Sequence, residues 1–100
     1  MRKLLDKYGS SGFQVLAFPC NQFGEQAPCS SECEREYLYV KLNTTEGALP
    51  VTVFDKAIVN GPGTLDVYAV VKHVANLGAN DVAWNYEKFL LDGEGKPFAR

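Results

Sequence analysis

The chain has 100 residues, of which 46% are hydrophobic and 22% are charged, a balance that argues against a disordered tail or a membrane protein. Ten Lys and Arg residues against twelve Asp and Glu residues give a net charge of −2, which disfavours nucleic acid and anionic lipid as partners. No run reaches the ~20 apolar residues of a membrane span, and residues 1–100 are predicted to form one domain.

Helical and extended patterns alternate from the first residue onward. A helix is predicted over residues 1–8, because the apolar residues there fall on one stripe, and the glycines within residues 9–12 end it. Residues 13–18 form an apolar run with the length of a buried strand. Residues 20–29 are rich in Gly, Pro, Asn and Gln, which is typical of a loop.

A second helix and a second strand follow this loop. Ser30 and Ser31 are suited to cap a helix that runs to about residue 41, and the acidic residues in its first turn suit the helix dipole. After a loop over residues 43–49, the run 50–55 has the pattern of a strand.

The C-terminal half continues the alternation. A turn at residues 60–63 precedes a helix predicted over residues 64–76, and a loop at residues 78–81 follows. Residues 84–92 and 96–100 are predicted to be strands, joined as a hairpin by an Asp-Gly-Glu-Gly turn. This order predicts an α/β fold with a mixed β-sheet flanked by helices.

Three cysteines are too few, and odd in number, to predict a disulfide scaffold, and they favour a reducing compartment. Cys20 follows a predicted buried strand with no Lys, Arg or His beside it, so we interpret it as a structural thiol in preference to a nucleophile. Cys29 and Cys33 are four residues apart around a helix start, a spacing that allows them to face the same side. They are interpreted as small, partly exposed residues, and a regulatory thiol pair is the alternative, for which the sequence gives no support.

A metal site at the cysteines would need further ligands, and only His73 adds a nitrogen donor, so no metal is expected. His73 has neither a nucleophile nor an orienting carboxylate nearby in the sequence, and its position predicts the polar flank of a helix.

Three neutral hydrogen-bond donors form a separate group of candidate residues. The only tryptophan, Trp84, has the ordinary role of a large packed residue as its simplest explanation. Its indole N–H, the Asn85 amide and the Gln26 amide would together stabilise a thiolate or selenolate without competing for protons. Spacing alone does not establish that the three converge.

Three segments resemble signatures of the glutathione peroxidase family, in the family's order. They are residues 18–26 (FPCNQFGEQ), 54–63 (FDKAIVNGPG) and 84–100 (WNYEKFLLDGEGKPFAR). The resemblance implies a thioredoxin-like fold and an antioxidant activity, in which hydrogen peroxide or organic hydroperoxides are reduced by a thiol during oxidative stress.

The resemblance also implies a catalytic tetrad of a peroxidatic cysteine or selenocysteine with Gln, Trp and Asn. By the motif match the last three are Gln26, Trp84 and Asn85, and Cys20 lies at a family position that is not peroxidatic. The nucleophile and the first strand or strands are therefore expected upstream of Met1. We therefore expect a partial domain that is also shortened at its C-terminus. Our hypothesis is that the translation start was assigned downstream of an in-frame UGA codon for selenocysteine.

Reductant and partners follow from the same resemblance. Tyr39 matches the resolving cysteine of thioredoxin-dependent members, and the loop over residues 42–53 is long, as in animal-type, glutathione-using and often homotetrameric members. Glutathione is therefore the expected co-substrate, with no other cofactor, and Lys41 stands where an arginine helps to bind it. The cytoplasm is the expected compartment, with any targeting segment upstream of Met1.

Two other functions stay open at this point. If the 100-residue chain is made as such in the cell, it would be a catalytically inactive module with a thioredoxin fold that acts by binding or regulation. A thiol enzyme based on Cys20 is the third interpretation.

Overall fold

The computed structural model describes residues 1–73 and 81–100. The chain divides into two compact units, which are described in turn. The first unit comprises Met1–Pro19 and Ala27–Lys56, and the second comprises Cys20–Gln26 and Ala57–Arg100. None of the helices in the described ranges has the length and apolar character that a bilayer crossing requires.

The first unit contains two helices and two strands, as predicted. They are α1 (Arg2–Tyr8), β1 (Val15–Ala17), α2 (Ser31–Lys41) and β2 (Val51–Val53), with a 3-10 turn at Gly9–Ser11 after α1. The strands pair in parallel, so that Val15 faces Val51 and Ala17 faces Val53. The predicted strands 13–18 and 50–55 are therefore each shortened to three paired residues.

The core of the first unit lies between its strands and helices. Leu5 of α1, Tyr39 of α2, and Val51 and Val53 of β2 are buried together. Leu5 is only 2% exposed and anchors α1, whereas Leu4 and Tyr8, which belong to the same predicted apolar stripe, are exposed.

A side-chain cap begins α2. Ser30 has extended backbone geometry, and its Oγ accepts a hydrogen bond from the backbone N–H of Cys33 at 3.2 Å. Glu32 and Glu34 lie in the first turn, where the helix dipole favours negative charge. The predicted cap and helix are confirmed.

Loss of this cap gives a prediction of moderate size. Ser30→Ala is expected to lower the free energy of unfolding by about 1 kcal/mol, because the Cys33 N–H loses its acceptor. Urea unfolding followed by far-UV circular dichroism measures the change. Ser10→Ala, at an exposed position, is the control; equal losses in the two variants would contradict the capping role.

In its described residues, the second unit contains one helix and one hairpin. Helix α3 (Asp66–His73) confirms the prediction as far as residue 73, whereas predicted helical residues 74–76 and loop residues 78–80 lie outside the described residues. Strands β3 (Leu90–Leu91) and β4 (Pro97–Ala99) pair antiparallel. Within the described residues, parallel and antiparallel pairing thus occur in two separate two-stranded sheets, whereas one mixed sheet was expected.

The predicted strand over residues 84–92 is largely wrong. Only Leu90–Leu91 is extended and paired, and the preceding segment turns. Tyr86 has a φ of 65°, and the Glu87 carboxylate accepts a hydrogen bond from the Ala83 backbone N–H at 2.8 Å. A carboxylate that binds the backbone four residues earlier stabilises a turn instead of a strand, because it replaces the inter-strand hydrogen bonds.

Candidate functional site

The loop that carries Gln26 and the turn that carries Trp84 and Asn85 meet within the second unit. Asn85 Nδ2 donates a hydrogen bond to Gln26 Oε1 at 2.9 Å, which joins residues 59 positions apart in the chain. The Trp84 ring lies 5.7 Å from the Phe23 ring, centroid to centroid, at an interplanar angle of 58°. The structure therefore brings together the three side chains that the sequence singled out.

Gly24 lies where the indole and the Gln26 amide approach each other. Its φ is 65°, a conformation that L side chains rarely adopt. A Cβ at this position would lie 3.4 Å from Gln26 Nε2 and 3.4 Å from Trp84 Cη2. A glycine here thus permits both the turn and the close approach of the two side chains.

The cluster presents uncharged donors to solvent. Asn85 Nδ2 donates to Gln26 Oε1, so the Gln26 amide offers its Nε2 as a donor to another acceptor. Trp84 is 53% exposed, and the described ranges contain no hydrogen-bond partner for its indole N–H. Such an arrangement is suited to hold an anion or a polarised oxygen, because it stabilises negative charge without supplying a competing base.

Gln22 fastens the Cys20–Gln26 loop to the segment around Asn60. Its Oε1 accepts hydrogen bonds from the backbone N–H groups of Val59 at 2.8 Å and Asn60 at 3.1 Å. Its Nε2 donates to the Asn60 carbonyl at 2.8 Å. One amide side chain therefore satisfies three backbone groups, which fixes where the loop begins.

Asn60 continues this connection to the Trp84 turn. Its Nδ2 donates to the Val82 carbonyl at 2.8 Å, and its Oδ1 accepts from the Val82 N–H at 2.9 Å. The buried Lys72 ammonium donates to the Val59 carbonyl at 2.6 Å and to Asn60 Oδ1 at 3.2 Å. It also forms an ion pair with Asp81 at 3.5 Å.

Three positioning residues were therefore missed in the sequence, namely Gln22, Asn60 and Lys72. Gln22 and Asn60 lie inside the signature segments 18–26 and 54–63, which was the available signal. No local pattern showed which backbone groups their amides bind.

Arg100 and Glu87 brace the turn from the hairpin side. Arg100 Nε donates to Glu87 Oε1, Arg100 Nη2 donates to the Asp81 carbonyl at 2.9 Å, and the guanidinium lies 4.8 Å from the Phe89 ring. Burial acts to raise the pKa of the Glu87 carboxyl. The hydrogen bonds from Arg100 and Ala83 and the Arg100 charge outweigh it, so the pKa is lowered overall.

This lowered pKa gives a pH prediction. Ionised Glu87 stabilises the fold above its ordinary pKa of 4.5, and that stability is lost as pH falls through the lower folded-state value. Glu87→Gln is therefore expected to unfold more easily at pH 7, by about 0.5–1 kcal/mol, and the difference is expected to shrink below pH 4.5. Urea midpoints from pH 7 to 3 measure it. Glu94→Gln, at an exposed turn position, is the control; a difference independent of pH would contradict the assignment.

The cysteines divide into one buried thiol and one pair. Cys20 is buried, and its Sγ donates to Gln22 Oε1 at 3.4 Å, as a structural thiol would. Cys29 and Cys33 form a disulfide, which corrects their interpretation as two independent small residues. An odd count of three cysteines had argued against a disulfide scaffold. It did not exclude a single local disulfide, which the turn before α2 allows by bringing this pair together.

The two remaining candidate residues lie on helices. His73 lies at the last described position of α3 and is exposed on the helix surface, as predicted. Lys41, the last residue of α2, has its ammonium 5.3 Å from the centroid of the Tyr37 ring.

Comparison with known proteins gives the family. The family profile described as glutathione peroxidase matches residues 1–72. "Putative glutathione peroxidase 7, chloroplastic" of Arabidopsis thaliana is 39% identical over 101 residues, covering 100% of the chain and 41% of the relative. "Phospholipid hydroperoxide glutathione peroxidase 1, chloroplastic" of the same plant is 40% identical, covering 97% of the chain and 39% of the relative. "Glutathione peroxidase-like peroxiredoxin 2" of Saccharomyces cerevisiae is 37% identical, covering 100% of the chain and 60% of the relative.

The names of the relatives correct the expected compartment. Two of the three above are named as chloroplastic, and a 38% identical relative from Arabidopsis thaliana is named as mitochondrial, so the cytoplasmic expectation is wrong. The chain spans about 40–60% of the length of the three relatives above. Its helices and strands belong to a thioredoxin-like α/β fold, and the chain is a member of the glutathione peroxidase family.

Proposed function

We propose that the protein to which this chain belongs reduces hydroperoxides by two electrons, with a thiol as the final reductant. The observation that carries the proposal is the hydrogen bond from Asn85 to Gln26 beside the exposed Trp84 indole. In this proposal Gln26, Trp84 and Asn85 hold the nucleophilic anion and the oxygen that departs from it.

The chemistry balances with two equivalents of thiol. A thiolate or selenolate attacks one peroxide oxygen, the O–O bond breaks, and the other oxygen leaves as water or an alcohol after taking a proton. The nucleophile becomes a sulfenic or selenenic acid. One thiol then displaces water to form a mixed disulfide or selenenyl sulfide, and a second thiol releases the original nucleophile together with a disulfide.

The nucleophile is proposed to come from outside these 100 residues. Cys20 is buried against Gln22, and the sulfurs of Cys29 and Cys33 are bonded to each other. A cysteine or selenocysteine on a segment before Met1 is therefore our proposal, without a further cofactor.

Glutathione is the proposed reductant, and Lys41 a proposed contact for it. Glutathione carries carboxylates, and the Lys41 ammonium lies at an exposed helix end, where a point charge suits an anionic ligand. We also propose that the whole protein is a homotetramer.

The experiment that tests this proposal adds the missing nucleophile to the chain. The chain is expressed alone and as a chimera in which the N-terminal segment of the Helianthus annuus relative, named "Glutathione peroxidase 1", precedes it. Hydroperoxide consumption is followed by coupled oxidation of glutathione, with thioredoxin as a parallel reductant. We expect turnover with glutathione by the chimera and none by the chain alone.

Two outcomes would overturn parts of this proposal. A cooperatively folded chimera without activity toward either reductant would reject the peroxidase function and favour a binding or regulatory module. Activity of the chain alone that disappears in Cys20→Ser would place the nucleophile at Cys20.

A further inference from the structure

The Cys29–Cys33 disulfide lies in the first unit, whereas Gln26, Trp84 and Asn85 belong to the second. It closes across the N-cap of α2, with Cys29 just before Ser30 and Cys33 in the first turn. Cys33 is exposed and Cys29 is half-buried, so a small molecule in solution reaches the Cys33 sulfur more easily. Neither cysteine has a role in the function proposed above.

The backbone around this disulfide is held by contacts other than the S–S bond. The Cys29 N–H donates to Glu34 Oε1 at 3.0 Å, and the Cys29 carbonyl accepts from Lys56 Nζ at 2.7 Å. The Cys33 N–H is bound by the Ser30 hydroxyl. The Cα atoms of the two cysteines, 5.7 Å apart, are therefore expected to stay at a distance that allows a disulfide when the sulfurs are reduced.

Two groups of positive charge favour the thiolate forms of Cys29 and Cys33. Cys33 lies in the first turn of α2, where the positive end of the helix dipole stabilises negative charge. The Lys56 ammonium donates to the Cys29 carbonyl at 2.7 Å, so a cation is bound to the backbone of the residue that carries the other sulfur. The carboxylates of Glu32 and Glu34 in the same turn oppose them, and that of Glu34 is engaged by the Cys29 N–H.

We propose that Cys29 and Cys33 form a thiol–disulfide exchange site for small monothiols. An incoming thiolate attacks the sulfur of Cys33, the more exposed residue of the pair, a mixed disulfide forms there, and Cys29 departs as a thiolate. A second monothiol then attacks the mixed disulfide, releases Cys33 as a thiol, and leaves as the small disulfide. The two electrons come from the two monothiols, and the reverse sequence with a small disulfide restores the bond.

The experiment uses the full 100-residue chain and glutathione as the probe. The chain is equilibrated in buffers that run from reduced to oxidised glutathione, and free thiols are then alkylated at low pH. A protease that cleaves after glutamate separates the three cysteines for mass spectrometry, since Glu25 and Glu32 lie between them. Because the readout is alkylation, failure here is distinct from failure of the peroxidase proposal.

We expect Cys29 and Cys33 to lose and regain alkylation together across the series, while Cys20 labelling stays constant. Cys29→Ser is expected to trap one glutathione on Cys33, and Cys33→Ser to trap less on the half-buried Cys29. The proposal is overturned if the pair stays fully alkylated in oxidised glutathione, or if it exchanges only when urea has unfolded the chain.

A charge variant tests the role of the ammonium. Lys56→Gln is expected to slow reduction by glutathione about threefold, because the departing Cys29 thiolate loses a favourable charge. Lys3→Gln, at an exposed position, is the matched control, and circular dichroism checks that both variants fold. Equal rates in these two variants would overturn the assignment of Lys56.

Discussion

Asn85→Ala is expected to lower kcat/KM for hydroperoxide about 100-fold in a protein that carries the nucleophile. The reason is that one uncharged donor is removed from a site where charge develops, and single donors of this kind are worth about 10²–10³ in rate. The loss also removes the hydrogen bond that orients the Gln26 amide. Steady-state kinetics of the chimera with hydrogen peroxide measure the change.

Trp84→Phe separates the donor from the ring. Phenylalanine keeps an aromatic ring beside Phe23 but has no N–H, so a loss of activity without loss of stability would identify the indole N–H as the active group. Tyr86→Phe, in the same turn and 84% exposed, is the control expected to keep full activity. Equal activities of Trp84→Phe and Tyr86→Phe would contradict the proposed role of the indole.

A double-mutant cycle tests whether Gln26 and Asn85 act as one unit. If Asn85 orients the Gln26 amide, then Gln26→Ala and Asn85→Ala together cost less activity than the sum of the single effects. Strictly additive effects would mean that the two amides act separately, and the hydrogen bond between them would then have no catalytic meaning.

The order of elements could be predicted from the sequence because each one has a local cause. The apolar stripe of α1, the serine cap of α2 and the glycine turn of the hairpin depend on neighbouring residues only. Strand lengths could not be predicted in this way, since pairing with a distant segment decides where a strand ends. The same holds for the turn before β3, where the Glu87 carboxylate binds the Ala83 N–H.

The candidate site was predictable in composition but not in geometry. Residue type alone pointed to Gln26, Trp84 and Asn85 as neutral donors. Their meeting depends on Gln22 and Asn60, whose amides bind backbone groups 22 to 38 residues away. Contacts of that range have no signature in local spacing, so only the folded chain reveals them.

Asn60→Ala is therefore expected to have the largest effect on stability, a loss of about 2–4 kcal/mol in the free energy of unfolding. The substitution removes the partners of the Val82 N–H and carbonyl and one acceptor of the Lys72 ammonium. Val82 and Lys72 are buried, so water replaces these hydrogen bonds poorly.

Asn60→Asp distinguishes the two halves of the amide. An aspartate keeps an acceptor for the Val82 N–H and for Lys72, but it sets an oxygen against the Val82 carbonyl where Nδ2 donated before. We expect a loss smaller than that of Asn60→Ala, because the carboxylate gains attraction to the Lys72 ammonium. Urea unfolding measures both variants against Gln14→Ala, an exposed control expected within about 0.5 kcal/mol of the unmodified chain.

The same variants connect stability to the site. Asn60 binds Val82, two positions before Trp84, so loss of its amide releases the turn that presents the indole and the Asn85 amide. In the chimera, Asn60→Ala is thus expected to lower kcat at temperatures where the protein is still folded. Full activity in a folded Asn60→Ala protein would show that the Asn85–Gln26 hydrogen bond suffices to hold the cluster, and Asn60 would then serve stability alone.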